Sequence, residues 1–195
     1  GRPRVVCRCV VGLCIGVAMA SPSAAQATFT VHCVGFPSDV SEDGSTVVGE
    51  DLMTGPFVWT AANGQVSIGG YSAGSVSDDG QVIAGSVPYA LYAEPAIWTP
   101  SAGWTSIGPF PWMTQPSAGQ AYAVSGDGTH VVGQAHDGMT GYVPFVWTAQ
   151  DGLVVLERAP GQPHGNGFAI DVTGDGQWIL GAVGGQIVRW DAQRV

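Results

Sequence analysis

The sequence predicts an all-β protein: a β-propeller-like array of about four four-stranded antiparallel repeats. Three observations lead there. The chain has 30 Gly among 195 residues, yet 45% of it is apolar and only 11% charged, which suits many short strands joined by glycine turns and not a disordered tract. An Asp-Gly pair recurs at Asp43-Gly44, Asp79-Gly80, Asp127-Gly128 and Asp175-Gly176, at spacings of 36, 48 and 48 residues. Each pair is followed by an apolar run closing on tryptophan, at Trp59, Trp98, Trp147 and Trp190. Periods of this length mark propellers, solenoids and arrays.

The first 27 residues read as a secretory signal. Arg2, Arg4 and Arg8 form a basic start, Cys9 to Ala20 an apolar run too short for a comfortable membrane span, and Ala25-Gln26-Ala27 a small-residue end. With that leader go Cys7, Cys9 and Cys14, so Cys33 stands alone and no intrachain disulfide is expected. Cys33 lies in the alternating stretch "TFTVHCVGF", where a lone cysteine reads as a small apolar residue. That stretch, 28–36, is a possible ring-closing strand.

Residues 28–195 read as one repeat domain, with repeats at approximately 37–70, 73–110, 120–158 and 168–195. Within each, Asp-Gly predicts a tight hairpin with the pair at its two central positions, where positive φ is tolerated only by Gly, Asn or Asp. Val-rich runs of strand length flank it. Gly49, Gly85, Gly133 and Gly181 are expected to close the second strand, where neighbouring backbones crowd or a bend is needed. Pro56, Pro95 and Pro144 are expected at the first position of the third strand, where a missing N–H is tolerated. A further turn, such as Ala62-Asn63-Gly64, leads to a fourth strand. One such sheet cannot bury both faces, so the units must stack, radially as a propeller; a β-solenoid or an open fragment of a larger propeller are the alternatives.

The units are similar to the "probable extracellular repeat, HAF family" of secreted bacterial proteins. The resemblance rests on Ser41 to Gly44 with Val47-Val48-Gly49, then Phe57-Val58-Trp59, then Ile68-Gly69. It covers essentially all of the chain after the leader. The sequence departs from the family in carrying Pro56, Pro95 and Pro144 where alanine is frequent, and in lacking the His-Ala pair. The resemblance implies an exported, propeller-like repeat protein and carries over no catalytic residue.

Charge narrows the partners. There is no lysine, and without the leader three Arg face fifteen Asp and Glu, a net charge near −12. Such a field repels nucleic acid and anionic membranes. No nucleic-acid partner and no membrane insertion after signal removal are therefore expected. The repeated aspartates offer one or two carboxylates per loop, too few for a calcium loop, and Asp-Gly already has a turn role. His32, His130, His136 and His164 form no metal-binding spacing, so no metal and no cofactor is expected. Neither a nucleophile elbow nor a phosphate loop occurs, and no catalytic residue is assigned.

Aromatic residues outside the repeat register are the candidate binding residues, because exposed rings beside polar loops stack on sugars or pack on proteins. They are Tyr89, Tyr92, Trp104, Trp112 and Tyr142, with the loop histidines His136 and His164. The function expected is a secreted, non-enzymatic repeat module binding an extracellular protein or glycan through its loops. The alternatives are a propeller-type extracellular carbohydrate hydrolase or lyase with funnel carboxylates, and a structural spacer in a larger surface protein.

Overall fold

The structure, a computed structural model, describes residues 6–10, 13–17, 35–139, 141–157 and 166–192. The chain divides into two compact units, 1–34 and 35–195. In the first, β1 (Val6–Val10) and β2 (Leu13–Val17) pair antiparallel. The rest of the expected leader, Cys33, and residues 28–34 of the expected closing strand lie outside the described residues. No helix among the described residues is long and apolar enough to cross a membrane.

The second unit is a run of antiparallel meanders, each strand hydrogen-bonded to the next in sequence. Blade one is β3 (Phe36–Val40), β4 (Thr46–Asp51), β5 (Gly55–Thr60) and β6 (Gly64–Ser67). Blade two is β7 (Ser72–Val76), β8 (Ile83–Tyr89), β9 (Tyr92–Thr99) and β10 (Gly103–Ser106). Blade three is β11 (Gly119–Val124), β12 (Val131–His136), β13 (Tyr142–Thr148) and β14 (Gly152–Val155). The fourth sheet has three strands, β15 (Gly167–Val172), β16 (Trp178–Val183) and β17 (Gln186–Asp191).

The first strand of each blade packs across its predecessor: β7 on β3, β4 and β5, β11 on β7, β8 and β9, β15 on β11, β12 and β13. The core therefore lies between blades. Val48 and Val58 of blade one meet Ala73, Val76, Ile83 and Trp98 of blade two. Ala84 and Ile97 meet Val124, Val131, Phe145 and Trp147, and Val132 and Val146 meet Ala169, Val172, Ile179 and Trp190. Three of the repeated tryptophans thus cement each blade to the one before it.

Every first strand carries a bulge at the same place, at Ser38, Gly74, Tyr122 and Ile170. Opposite it sits the repeated glycine of the second strand. A Cβ on Gly49, Gly85, Gly133 or Gly181 would overlap the carbonyl oxygen of Phe36, Ser72, Gln120 or Phe168 respectively. These glycines lie inside their strands, two or more residues before the end, and not at it as the sequence predicts. Crowding from the bulge, and not a terminal bend, is what requires them.

The Asp-Gly turns also differ from expectation in one respect. Gly44 N–H donates to Ser41 O at 2.9 Å, with Glu42 and Asp43 between them, and positive φ falls on Gly44 alone (+71°). Asp43 serves through its side chain. Its Oδ1 accepts the Ser41 hydroxyl (2.8 Å) and Ser45 N–H (2.9 Å), while Ser41 Oγ accepts Thr46 N–H (3.0 Å). The same three bonds recur around Asp79, Asp127 and Asp175, with Thr173 in the serine place in the last.

The prolines, too, sit later than predicted: Pro56, Pro95 and Pro144 are second, fourth and third in their strands. A residue's N and C=O leave a strand on the same side. Each proline's carbonyl accepts from Ile68, Ile107 or Leu156, just past the fourth strand's end, so its nitrogen faces no ladder acceptor.

Two expectations follow. Placing Cβ at positive φ costs about 1–2 kcal/mol. At Gly44 nothing else lies within 4 Å, whereas a Cβ on Gly80 would meet Thr46 Oγ1 of the preceding blade at 2.5 Å. Gly80→Ala should therefore lower the unfolding free energy clearly more than Gly44→Ala in denaturant titrations, and Thr46→Ala should recover part of the difference. The second concerns acid. Hydrogen bonds hold the turn carboxylates below the ordinary 3.8: Ser45 N–H foremost for Asp43, the Ser77 hydroxyl for Asp79, the Thr173 hydroxyl for Asp175. Burial pushes Asp127 up, and bonds from Ser125 and Thr129 outweigh it. A lowered folded value gives stability that is present above 3.8 and lost as pH falls through that folded value. Melting temperature should drop below pH 3.8, and Asp79→Asn, which keeps an accepting oxygen, should reduce the drop.

Candidate functional site

Meander connectivity places the Asp-Gly turns at one end of every blade. The hairpins joining second to third strands lie at the opposite end, with the connections between blades. Five of the seven candidate binding residues, Tyr89, Tyr92, Trp112, His136 and Tyr142, gather at that second end, where blades two and three meet.

Two elements build the place. The hairpin of blade two runs far out: Tyr89 pairs with Tyr92 across Ala90 and Leu91. Ala90 has φ +49°, the only non-glycine at positive φ among the described residues. The connection 107–118 is pinned by Phe110, which is fully buried and stacks on Trp112 at 4.9 Å. Trp112 Nε1–H donates to Asp137 O at 3.1 Å, tying the connection to the hairpin of blade three.

Between these elements opens a cavity of about 450 Å³ lined by Tyr89, Tyr92, Met113, Gln115, His136 and Tyr142, among others. Beside it lies a second depression of about 270 Å³, sharing Tyr92, Ala118 and Tyr142 and adding Tyr71, Gln120 and Gln134. Tyr89 hydroxyl donates to Gln115 Oε1 at 2.9 Å. His136 and Tyr142 face each other across β12 and β13 in an edge-to-face contact of 5.5 Å. Gly138 N–H donates to His136 Nδ1 at 3.0 Å, so the neutral ring carries its proton on Nε2. Asp137 accepts from Met139 and Gly141 N–H and holds that hairpin's shape. Burial, with Tyr142 adding to it, pushes the Tyr122 hydroxyl above its ordinary value.

Of the candidates, Tyr89, Tyr92, His136 and Tyr142 line this cavity, and Trp112 stands 56% exposed beside it. Trp104 lies elsewhere. Its Nε1–H donates to Ile68 O and Gly69 O, and its ring lies against Gly70 and Gly85, so it braces the end of blade one. His164 lies outside the described residues. Tyr71, Met113, Gln115, Gln120 and Gln134 join the lining without being among the sequence candidates. Tyr71 was the one with a signal, an aromatic just before a first strand.

A larger groove, of about 540 Å³, opens at the Asp-Gly end between the same blades. Four of its polar side chains already bond in pairs: Thr129 Oγ1 with His130 Nδ1 (2.8 Å), and Thr148 Oγ1 to Asp151 Oδ2 (2.8 Å). The tyrosine cavity, by contrast, has hydroxyls on Tyr92 and Tyr142 that no described residue engages in a hydrogen bond, and neither Asp nor Glu lines it. No cluster of three or more His, Cys, Asp or Glu with metal-binding geometry occurs among the described residues.

The chain is similar to the structure of a putative TolB from Agrobacterium tumefaciens, at 16% identity and a TM-score of 0.54, covering 80% of this chain and 56% of that one. The fold is a β-propeller array. TolB from Acinetobacter baumannii matches at 12% identity and a TM-score of 0.48, over 95% of this chain and 50% of that one. The chain thus spans about half the length of these structures, and at such identities the likeness concerns fold alone. No family model matches the chain, and no curated protein does.

One acid within the array is out of balance. Glu94, two residues along β9 from Tyr92, is 8% exposed, and its Oε2 has no hydrogen-bond partner among the described residues. Desolvation raises its carboxyl, and a bond from Ser106 offsets part of that. A raised folded value gives stability present below 4.5 and lost as pH rises through the folded value. Glu94→Gln should therefore stabilise the array by about 1 kcal/mol at neutral pH, with the gain vanishing in acid, in melts run across pH.

Proposed function

We propose that this chain is an exported, non-enzymatic propeller module that binds a neutral glycan at the tyrosine cavity between blades two and three. The observation that carries the reading is the convergence of Tyr89, Tyr92, His136 and Tyr142 on one opening with no Asp, Glu, Lys or Arg among its described lining residues. Aromatic faces stack on sugar rings, and hydroxyl, imidazole and amide groups at the rim supply the hydrogen bonds that fix a sugar's orientation. The strong net negative charge of the chain favours a neutral ligand over an anionic one.

Two features support the non-enzymatic part. Among the described residues, the cavity lining holds no carboxylate pair of the kind glycoside hydrolysis uses. The four turn aspartates, moreover, hold their own loops together with the Oδ1 atoms. Export rests on the basic, apolar and small-residue succession in 1–27, and the extracellular repeat resemblance agrees with it.

The test is calorimetric titration of the full chain with neutral hexasaccharides of cellulose, starch and chitin type. At least one should bind, and Tyr92→Ala or Tyr142→Ala should weaken it about tenfold, near the 1.4 kcal/mol of one stacking contact. Trp104→Phe should leave affinity unchanged. Cleavage of the saccharide during titration would refute the non-enzymatic reading, and no binding by any of the three would refute the glycan.

A further inference from the structure

The face of the fourth blade that looks away from the third repeats, position by position, the faces that the earlier blades bury. Val48, Ala84 and Val132, opposite the first-strand residue that follows the bulge, are each fully buried beneath the next blade. Their counterpart, Leu180, is 45% exposed. Phe168, Trp178 and Ile187 are exposed on the same sheet, while Ala169, Val172, Ile179 and Trp190 are buried against blade three. An open depression of about 300 Å³ lined by Asp171, Trp178, Leu180 and Arg189 marks this face, with the Arg189 guanidinium 4.0 Å over the Trp178 ring.

A polar key sits in the middle of it. In blade one, Asp39 Oδ1 accepts Val40 N–H (2.8 Å), and Oδ2 reaches into blade two to accept the Ser75 hydroxyl and Val76 N–H, both at 2.9 Å. Ser75 Oγ in turn accepts Val124 N–H of blade three at 3.4 Å. Asp171 occupies the same register position in blade four, and its Oδ1 accepts Val172 N–H at 2.9 Å, as Asp39 does in blade one. Its Oδ2 has no partner among the described residues.

Trp178 completes the pattern. Thr46, Val82 and His130, its counterparts, each lie against the Asp-Gly glycine of the following blade: Gly80, Gly128 and Gly176.

We propose that this face is a docking surface for a further blade of the same repeat. Its first strand brings a serine or threonine hydroxyl and the next N–H to Asp171, and its turn glycine settles over Trp178. Charge selects this occupant over the two nearest rivals. Blade one carries Asp39 where the incoming hydroxyl is needed, so closing blade four onto β3, of this chain or of a second copy, sets carboxylate against carboxylate.

The test extends the full chain after residue 195, through a short Gly-Ser linker, with a second copy of either blade two (residues 71–107) or blade one (residues 35–68). Thermal melts and hydrogen exchange over residues 178–191 are read. The blade-two copy should raise the melting temperature by several degrees and slow exchange at least tenfold. Asp171→Ala should abolish that gain, read against the unextended chain carrying the same substitution. The blade-one copy should give no gain until its own Asp39→Ser is introduced. A copy of residues 71–155, two blades, covers the case in which one added blade frays. Equal gains from both copies, none from the one- and two-blade extensions alike, or an unextended chain that is a dimer with 178–191 already protected would each overturn the proposal.

Discussion

The structure depends on how one blade's Asp-Gly turn meets the blade before it. The turn is internally tied by its aspartate and serine, which fixes the direction in which the second strand leaves. The turns are then tied to each other: Glu42 N–H donates to Asp78 O, Asp78 N–H to Gly126 O, and Asp127 N–H to Gly174 O. A line of backbone bonds thus crosses blade after blade without any side chain taking part. The glycine beside it is doubly constrained, by its own positive φ and by the side chain of the preceding blade that lies against it. That double constraint makes the turn both a local signal and an interface, so one motif sets a sheet and its stacking together.

The repeat was legible because its requirements are local. Asp43, Gly44 and Ser41 lie within one turn, and their chemistry shows in any single sequence. Trp98, Trp147 and Trp190 were legible as packing residues since they keep register. The bond from Ser75 to Asp39 spans 36 residues and depends on a bulge that no residue type announces, so it required the structure. The same holds for the proline positions, which follow from where the fourth strand stops and not from where the third begins.

At the candidate site the tyrosines stood out because they fall outside the repeat. Trp104 stands out for the same reason, yet its indole braces the end of blade one. Gly70 and Gly85 leave room for an indole, and the two carbonyls that accept its N–H are free only because β6 has ended. Met113 and Gln115 gave no signal, since an unbranched apolar residue and an amide in a long connection have no pattern to depart from.

The spacing of the repeats explains why the cavity lies where it does. Blades one and two are 36 residues apart, and their short connection, from Ser67 to Ser72, leaves no space for a wall. Blades two and three are 48 apart, and the added length goes into the extended Tyr89–Tyr92 hairpin and the connection that holds Phe110 and Trp112. None of it enters the Asp-Gly end, where the backbone bonds between turns tolerate no insertion. The array therefore separates its two requirements by end: one end carries the constraint that stacks the blades, and the other accepts added residues at little cost to stacking. On the proposed reading, recognition falls at the edge opposite the one that stacks the blades.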